Sequence, residues 1–271
     1  MLTYLKKRDL LNSSDKHIED IASLAAYIRR WVLRMVTMAQ SSHIGSCLSA
    51  VEITAVIQSI VHKSEDIFIF SKGHAAATFY AALAGLKLIS EEDLKTFGKD
   101  GSELTGHVNH AVPTVLYSSG SLGHGLPFAV GVAIASRRKN VYVVISDGEL
   151  NEGTTWESLA ISKQLELNNL TVVIDANGIQ SLGNTQDILN LEPIPAKLES
   201  FGWECFEVDG HSIPSLYTSI LSSSLNKPKA IIARTTKGKG IKSMENKLEW
   251  HYKSPSPENL QAYLDEVKKN A

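Results

Sequence analysis

The stretch Val141-Tyr-Val-Val-Ile-Ser-Asp-Gly-Glu149, followed by the similar run Leu170-Thr-Val-Val-Ile-Asp-Ala-Asn177, decides the fold. Both runs are short, apolar and rich in β-branched residues, which predicts buried strands. The first delivers Asp147 to a strand end, and the second delivers Asn177 just past another. The sequence between them, Glu152 to Leu167, reads as helix. The result is a βαβ unit with two hard oxygen ligands at its carboxyl edge, where parallel sheets bind ligands. A carboxylate and an amide oxygen suit Mg²⁺ (or Ca²⁺), and Mg²⁺ usually shares its shell with phosphates. The pair therefore predicts a diphosphate held through a metal. Asp and Asn also favour turns in their own right, so the flanking segments must carry the assignment.

Working outward, the alternation continues. Asp66–Phe70 reads as a short buried strand, and strands are expected at 203–208 and 229–234, with helices at 193–201 and 213–224. Upstream, Ile18, Ile21, Leu24, Ala25, Ile28, Trp31, Val32 and Met35 recur at helical spacing within a helix expected from Asp15 to Gln40. A loop is expected at Ser41–Ser46 and a helix from Ala50 to Val61. An alanine-rich helix should begin at His74, and a glycine- and alanine-rich one should run from Gly123 to Arg138. Residues 98–122 form a long irregular segment, and such segments inside compact domains tend to be functional. The pattern is α/β: a parallel sheet flanked by helices. It predicts one domain over 1–271, with a Lys- and Gly-rich C-terminal extension from about residue 235. Trp31, Trp156 and Trp203 are expected to be packing residues.

The 27 Lys and Arg nearly cancel the 29 Asp and Glu, so no broad basic field points to nucleic acid. No apolar run approaches the roughly 20 residues of a membrane span, and the start lacks the apolar core of a signal peptide. Cys47 and Cys205 stand far apart without metal-type spacing, which predicts reduced thiols in a cytoplasmic protein.

Of nine histidines, five lie in loops beside strand ends or helix starts: His43, His74, His107, His124 and His251. Imidazole both donates and accepts near neutral pH, which suits proton transfer and the recognition of sugar hydroxyls. Neighbouring glycines let backbone approach a ligand closely.

These segments resemble the transketolase family in six places, in family order. They are Ser42-His-Ile-Gly45, Ser71-Lys-Gly-His-Ala-Ala76, Gly120-Ser-Leu-Gly-His-Gly125, Asp147-Gly-Glu-Leu-Asn-Glu-Gly153 with Trp156-Glu157, Asn177, and Lys237-Gly-Lys-Gly240 with Met244-Glu-Asn246 and Trp250-His251. The resemblance runs from roughly residue 15 to 260. His124 is similar to the branch of two-subunit transketolases, where it replaces a glutamine. The sequence departs from the family at Ser146 (Gly in the family), Val108, Val112–Ser119 and Ser212.

The resemblance implies thiamine diphosphate as cofactor. Gly120, Ser121, Leu122, His124, Gly148, Glu149, Asn177 and Lys237 would contact it. Mg²⁺ (or Ca²⁺) would sit on the side chains of Asp147 and Asn177 and the carbonyl of Ile179. His74 and His107 would touch donor hydroxyls and the developing alkoxide, while His43 and His251 would assist proton transfer. Glu152 would join a carboxylate chain at a subunit interface, and residues 108–119 would line the approach to the reactive carbon. No segment resembles the pyrimidine-binding domain, whose glutamate activates the cofactor. The chain is therefore expected to be an incomplete active site, working in an α₂β₂ complex with a C-terminal transketolase subunit that carries that domain. Its reaction would be transfer of a two-carbon ketol unit between sugar phosphates or modified sugars. Two other readings stay open: a subunit of another thiamine diphosphate enzyme (a 2-oxo acid decarboxylase or dehydrogenase, or a branched-sugar-forming transferase), and a catalytically inactive cofactor-binding scaffold.

Overall fold

The computed structural model describes residues 2–223 and 226–269, with side chains from residue 16 onward. Five strands form one sheet: β1 (Ile67–Phe70), β2 (Val141–Ser146), β3 (Leu170–Ala176), β4 (Glu204–Asp209) and β5 (Lys229–Arg234). Their order is β1-β2-β3-β5-β4 and every pairing is parallel. Val144 lies beside Phe70 and Val173, and Ser146 beside Asp175, so the ends of the three strands share one edge.

Side-chain alternation sends β2 to two cores. Val141, Val143 and Ile145 face one side with Ile69, Val172, Ile174 and Ile232, beneath helices Gly125–Ala135, Gly153–Gln164 and Ile194–Ser200. Tyr142 and Val144 face the other side with Phe68, Phe70, Val173 and Ile231, beneath helices Leu2–Ala39, Val51–Val61, Ala76–Gly85 and Ile213–Leu221. A sheet covered on both faces explains why β2 and β3 are apolar along their whole length rather than alternating with polar residues. Trp31 and Trp203 are buried, and the Trp203 indole donates to the Leu159 carbonyl at 2.9 Å. Cys47 and Cys205 carry no disulfide. Among the described residues no helix is long and apolar enough to cross a membrane.

The differences from expectation have local causes. The first helix begins at Leu2 rather than Asp15, because no glycine or proline interrupts residues 2–39. The loop expected at 41–46 closes early: His43 turns the chain in the left-handed region (φ 73°) and a short helix, Ile44–Ser49, follows at once. Asp147–Asn151 forms its own 3₁₀ turn, so the next helix starts at Gly153. Short helices at Glu91–Leu94 and Thr185–Leu189 escaped the apolar-period reading. Ser212 caps helix Ile213–Leu221, accepting from the Ser215 N–H at 3.4 Å. The expected last residue of that helix, Ser224, lies outside the described residues.

Candidate functional site

The carboxyl ends of β1, β2 and β3 open onto a cleft of about 180 Å³. Its walls include His43, His74, His107, Gly120, Leu122, Ser146, Asp147, Gly148, Asn177, Ile179, Gln180 and His251. Larger clefts of about 530 Å³ lie near Leu88 and Pro113 and near Arg29 and His211, but no strand-end residue of β1 to β3 lines either.

Beneath the cleft floor lies a buried charge cluster. The Lys72 ammonium pairs with the Asp175 carboxylate, both fully buried. Ser49 donates to Asp175 at 2.7 Å, and the Thr235 hydroxyl donates to the other carboxylate oxygen. Burial pushes the Asp175 carboxyl up, but Lys72 and the two hydroxyls outweigh it and hold it below the usual range. Asp147 is different. Its oxygens accept the N–H groups of Gly148 at 2.9 Å and Gly178 at 2.7 Å. Burial and the neighbouring Asp175 charge nonetheless push its carboxyl up to about 6. A carboxylate short of positive charge is poised for a cation. The Asn177 side-chain oxygen accepts the Ile179 N–H at 3.1 Å.

Lys237 is nearly fully buried, and its ammonium donates to the Ile179 carbonyl at 2.9 Å and lies 3.0 Å from His251 Nδ1. Burial, then repulsion from Lys72, pulls it down to about 8. Its loop is pinned twice: the Gly238 N–H donates to Gly45, and the Thr236 N–H donates to His211 Nε2 at 2.8 Å. The other ring nitrogen of His211 faces Glu52 at 2.9 Å, and Glu52 pairs with Arg29 at 2.6 Å.

Four of the five expected histidines converge. His43 stands at the centre, its ring 4.9 Å from His251, 5.5 Å from His74 and 5.7 Å from His107. The His43 N–H donates to the His251 carbonyl at 2.9 Å. Burial first, then nearby cationic groups, lowers His43 to about 4 and His251 to about 3, and holds His74 well below its ordinary value. All three are therefore neutral at physiological pH and free both to accept and to donate a proton.

Several expected contacts lie elsewhere. Glu149 is fully buried and turned away from the cleft. It accepts the N–H groups of Ser146 at 2.8 Å and Gly123 at 3.3 Å, and the Ser71 hydroxyl. Burial raises its carboxyl despite those donors. Its place is behind the Gly120–Gly125 loop, which it ties to β2. Gly123 needs φ +75° there, and Glu152 packs against its missing Cβ. Glu152 itself immediately precedes helix Gly153–Gln164. Ser121 and His124 are exposed outside the cleft, while Gly120 and Leu122 line it. Ser146 lines the cleft, with its hydroxyl 3.3 Å from Glu149. Residues 108–119 do not line it. Val108, Val112 and Val115 are in the core, and Tyr80 anchors the segment, donating to the His107 carbonyl and accepting the Asn109 N–H, both at 3.0 Å.

Sequence reading passed over Lys72, Asp175 and Gln180. The signal for the first two was a charge at the end of an apolar run. Gln180 carried no signal that distinguished it from any polar loop residue.

The donors beside Asp147 are all oxygens, as Mg²⁺ or Ca²⁺ requires. Among the described residues no three His, Cys, Asp or Glu side chains are arranged to hold a metal. Asp147, Asn177 and the Ile179 carbonyl thus fit a metal whose remaining ligands come from elsewhere, as diphosphate oxygens would.

Residues 21–262 match the sequence pattern of the family described as transketolase, thiamine diphosphate binding domain. The chain is 37% identical to one named subunit of the apulose-4-phosphate transketolase of Actinobacillus succinogenes, over 95% of this chain and 99% of that one. It is 34% identical to human transketolase, over 90% of this chain but 41% of that protein. Among solved structures, the transketolases of Leishmania mexicana and Campylobacter jejuni superpose with TM-scores of 0.81 at 26% identity, over 92% and 94% of this chain. It spans 41% and 42% of their lengths.

Proposed function

Because the chain belongs to the transketolase family, matching its thiamine diphosphate-binding domain, we propose that it is the diphosphate- and metal-holding subunit of a split transketolase. In this reading it transfers a two-carbon ketol unit between sugars only when a partner supplies the pyrimidine-binding domain. One observation carries the proposal. The chain matches a relative named as a subunit over 99% of that relative, but only 41% of a one-chain transketolase.

Asp147, Asn177 and the Ile179 carbonyl would hold Mg²⁺, and the cleft backbone at Gly120, Leu122 and Gly148 would accommodate the diphosphate. Lys237 adds a positive charge at the same end. Bound thiamine diphosphate would supply the carbon that takes up and releases the ketol unit. His74 and His107 would donate hydrogen bonds to the sugar hydroxyls and to the oxygen that gains charge. His43 and His251, both neutral, would take up and return protons. Glu152 would face the partner subunit. Two relatives are named for apulose 4-phosphate, so a branched ketose phosphate joins xylulose 5-phosphate as a candidate donor.

The test is reconstitution with a pyrimidine-domain partner, followed by assay with both donors and a panel of aldose acceptors. The chain alone should be inactive and the complex active. Robust turnover by the chain alone, or pyruvate decarboxylation without ketol transfer by the complex, would overturn the proposal.

A further inference from the structure

We propose that Gln180 completes the diphosphate site by donating its carboxamide N–H to a diphosphate oxygen, an inference that rests on the cofactor reading above. Gln180 lines the same cleft as Asp147, Asn177 and Ile179. Its loop is tightly fixed. The Gln180 N–H donates to Gly183 at 2.8 Å, the Thr185 N–H to Gly178 at 2.9 Å, and Ile179 bridges to Asn184. Across the cleft mouth, the Tyr252 hydroxyl donates to the Ser181 carbonyl at 2.6 Å.

The side chain lies over Gly148, where a Cβ would stand 3.6 Å from Gln180 Cγ and Cδ. At one end of the carboxamide, Oε1 is 3.4 Å from Asn151 Nδ2. At the other, Nε2 is buried with no hydrogen-bond partner among the described residues, and so is Asn151 Oδ1. Turning both amides around would again leave one N–H group and one carbonyl over, so the pair always has a donor to spare.

A buried N–H without a partner is costly, and such groups persist where a ligand supplies the acceptor. A diphosphate oxygen is a charged acceptor and forms the stronger kind of hydrogen bond. The uncharged amide also suits its surroundings. Lys72 and Lys237 already place two cations here, and a third beside a divalent metal would repel it.

Calorimetric titration of the full chain, in Mg²⁺, with inorganic pyrophosphate and separately with thiamine diphosphate tests the assignment. Gln180→Ala should weaken both ligands roughly tenfold. Gln180→Glu keeps the shape but replaces the donor with a negative charge, and should weaken both by on the order of a hundredfold. Melting temperatures without ligand should match the unaltered chain. Unchanged pyrophosphate affinity in Gln180→Glu would sink the inference. So would tighter Mg²⁺ binding in that variant, because it would place the carboxamide oxygen on the metal. Failure of the unaltered chain to bind either ligand would instead remove the cofactor reading and this inference with it.

Discussion

Lys237 sets its ammonium 2.9 Å from the carbonyl of Ile179, the backbone oxygen assigned to the metal. With Lys72, it balances the charges of Asp147 and Asp175 in the buried cluster. A divalent ion entering alone would leave that cluster strongly positive, whereas one entering with a diphosphate would not. Metal and diphosphate should therefore bind with positive coupling, each raising affinity for the other. Lys237→Met should bind Mn²⁺ alone more tightly than the unaltered chain and pyrophosphate more weakly, each by about tenfold. Lys237→Arg should keep the coupling. Electron paramagnetic resonance with Mn²⁺, with and without pyrophosphate, reads both quantities. Equal coupling in the Met variant contradicts the account.

Asp147 trades stability for binding. An unfolded aspartate ionises near pH 4, whereas buried Asp147 keeps its proton up to about pH 6. The folded chain thus holds a proton the unfolded chain has lost. The resulting stabilisation is full below about pH 4 and disappears as pH rises through about 6. Without ligands, Asp147→Asn should be more stable than the unaltered chain at pH 7.5, by on the order of 1–2 kcal/mol, and the gap should close toward pH 4. The same variant should lose most of its Mg²⁺-dependent pyrophosphate affinity. Urea unfolding at several pH values, paired with calorimetry, checks both halves.

The histidines act in the opposite direction. His43 and His251 titrate at about 4 and about 3 when folded, against 6.5 ordinarily. Their stabilising contribution is complete above pH 6.5 and is lost as pH falls through the folded values. The unfolding midpoint should therefore drop between pH 6.5 and 4. His251→Asn should flatten that acid limb, and an unchanged slope would argue against burial of a neutral ring. In the reconstituted complex, His251→Ala should lower turnover by about 10²–10³ while leaving cofactor affinity within a few-fold.

Glu149 tests whether a motif acidic residue binds cofactor or holds the protein together. Its carboxylate serves Ser146, Gly123 and Ser71, none of them through the cleft. Glu149→Ala should cost about 1–3 kcal/mol of stability, because buried donors lose their acceptor. Pyrophosphate affinity of the folded variant should shift only a few-fold. A large loss of affinity with little loss of stability would return Glu149 to the cofactor.

The sheet was legible because β2 and β3 announce themselves. Val141–Ile145 and Leu170–Ile174 are unbroken apolar runs, and a sheet covered on both faces demands that pattern. Asp147 and Asn177 follow from strand direction alone, since residues just past parallel strands share an edge. What sequence spacing could not convey was side-chain aim. Glu149 lies two residues from Asp147 and points the other way, because the 3₁₀ turn rotates successive side chains by about 120°. Ser121 sits between two cleft-lining neighbours and faces solvent. The Gln180 amide depends on a hairpin-like loop whose geometry is set by bonds to Gly183 and Asn184 rather than by any periodic pattern.

The bond from the His43 N–H to the His251 carbonyl joins an early part of the chain to a late one. Every strand pair beside the cleft is likewise parallel and must wait for its crossover to be made. On the ribosome, the residues that bear the diphosphate would emerge long before the wall that closes over them. Cofactor loading is thus confined to finished chains, and a nascent chain stalled before His251 should retain no pyrophosphate however well its sheet has formed.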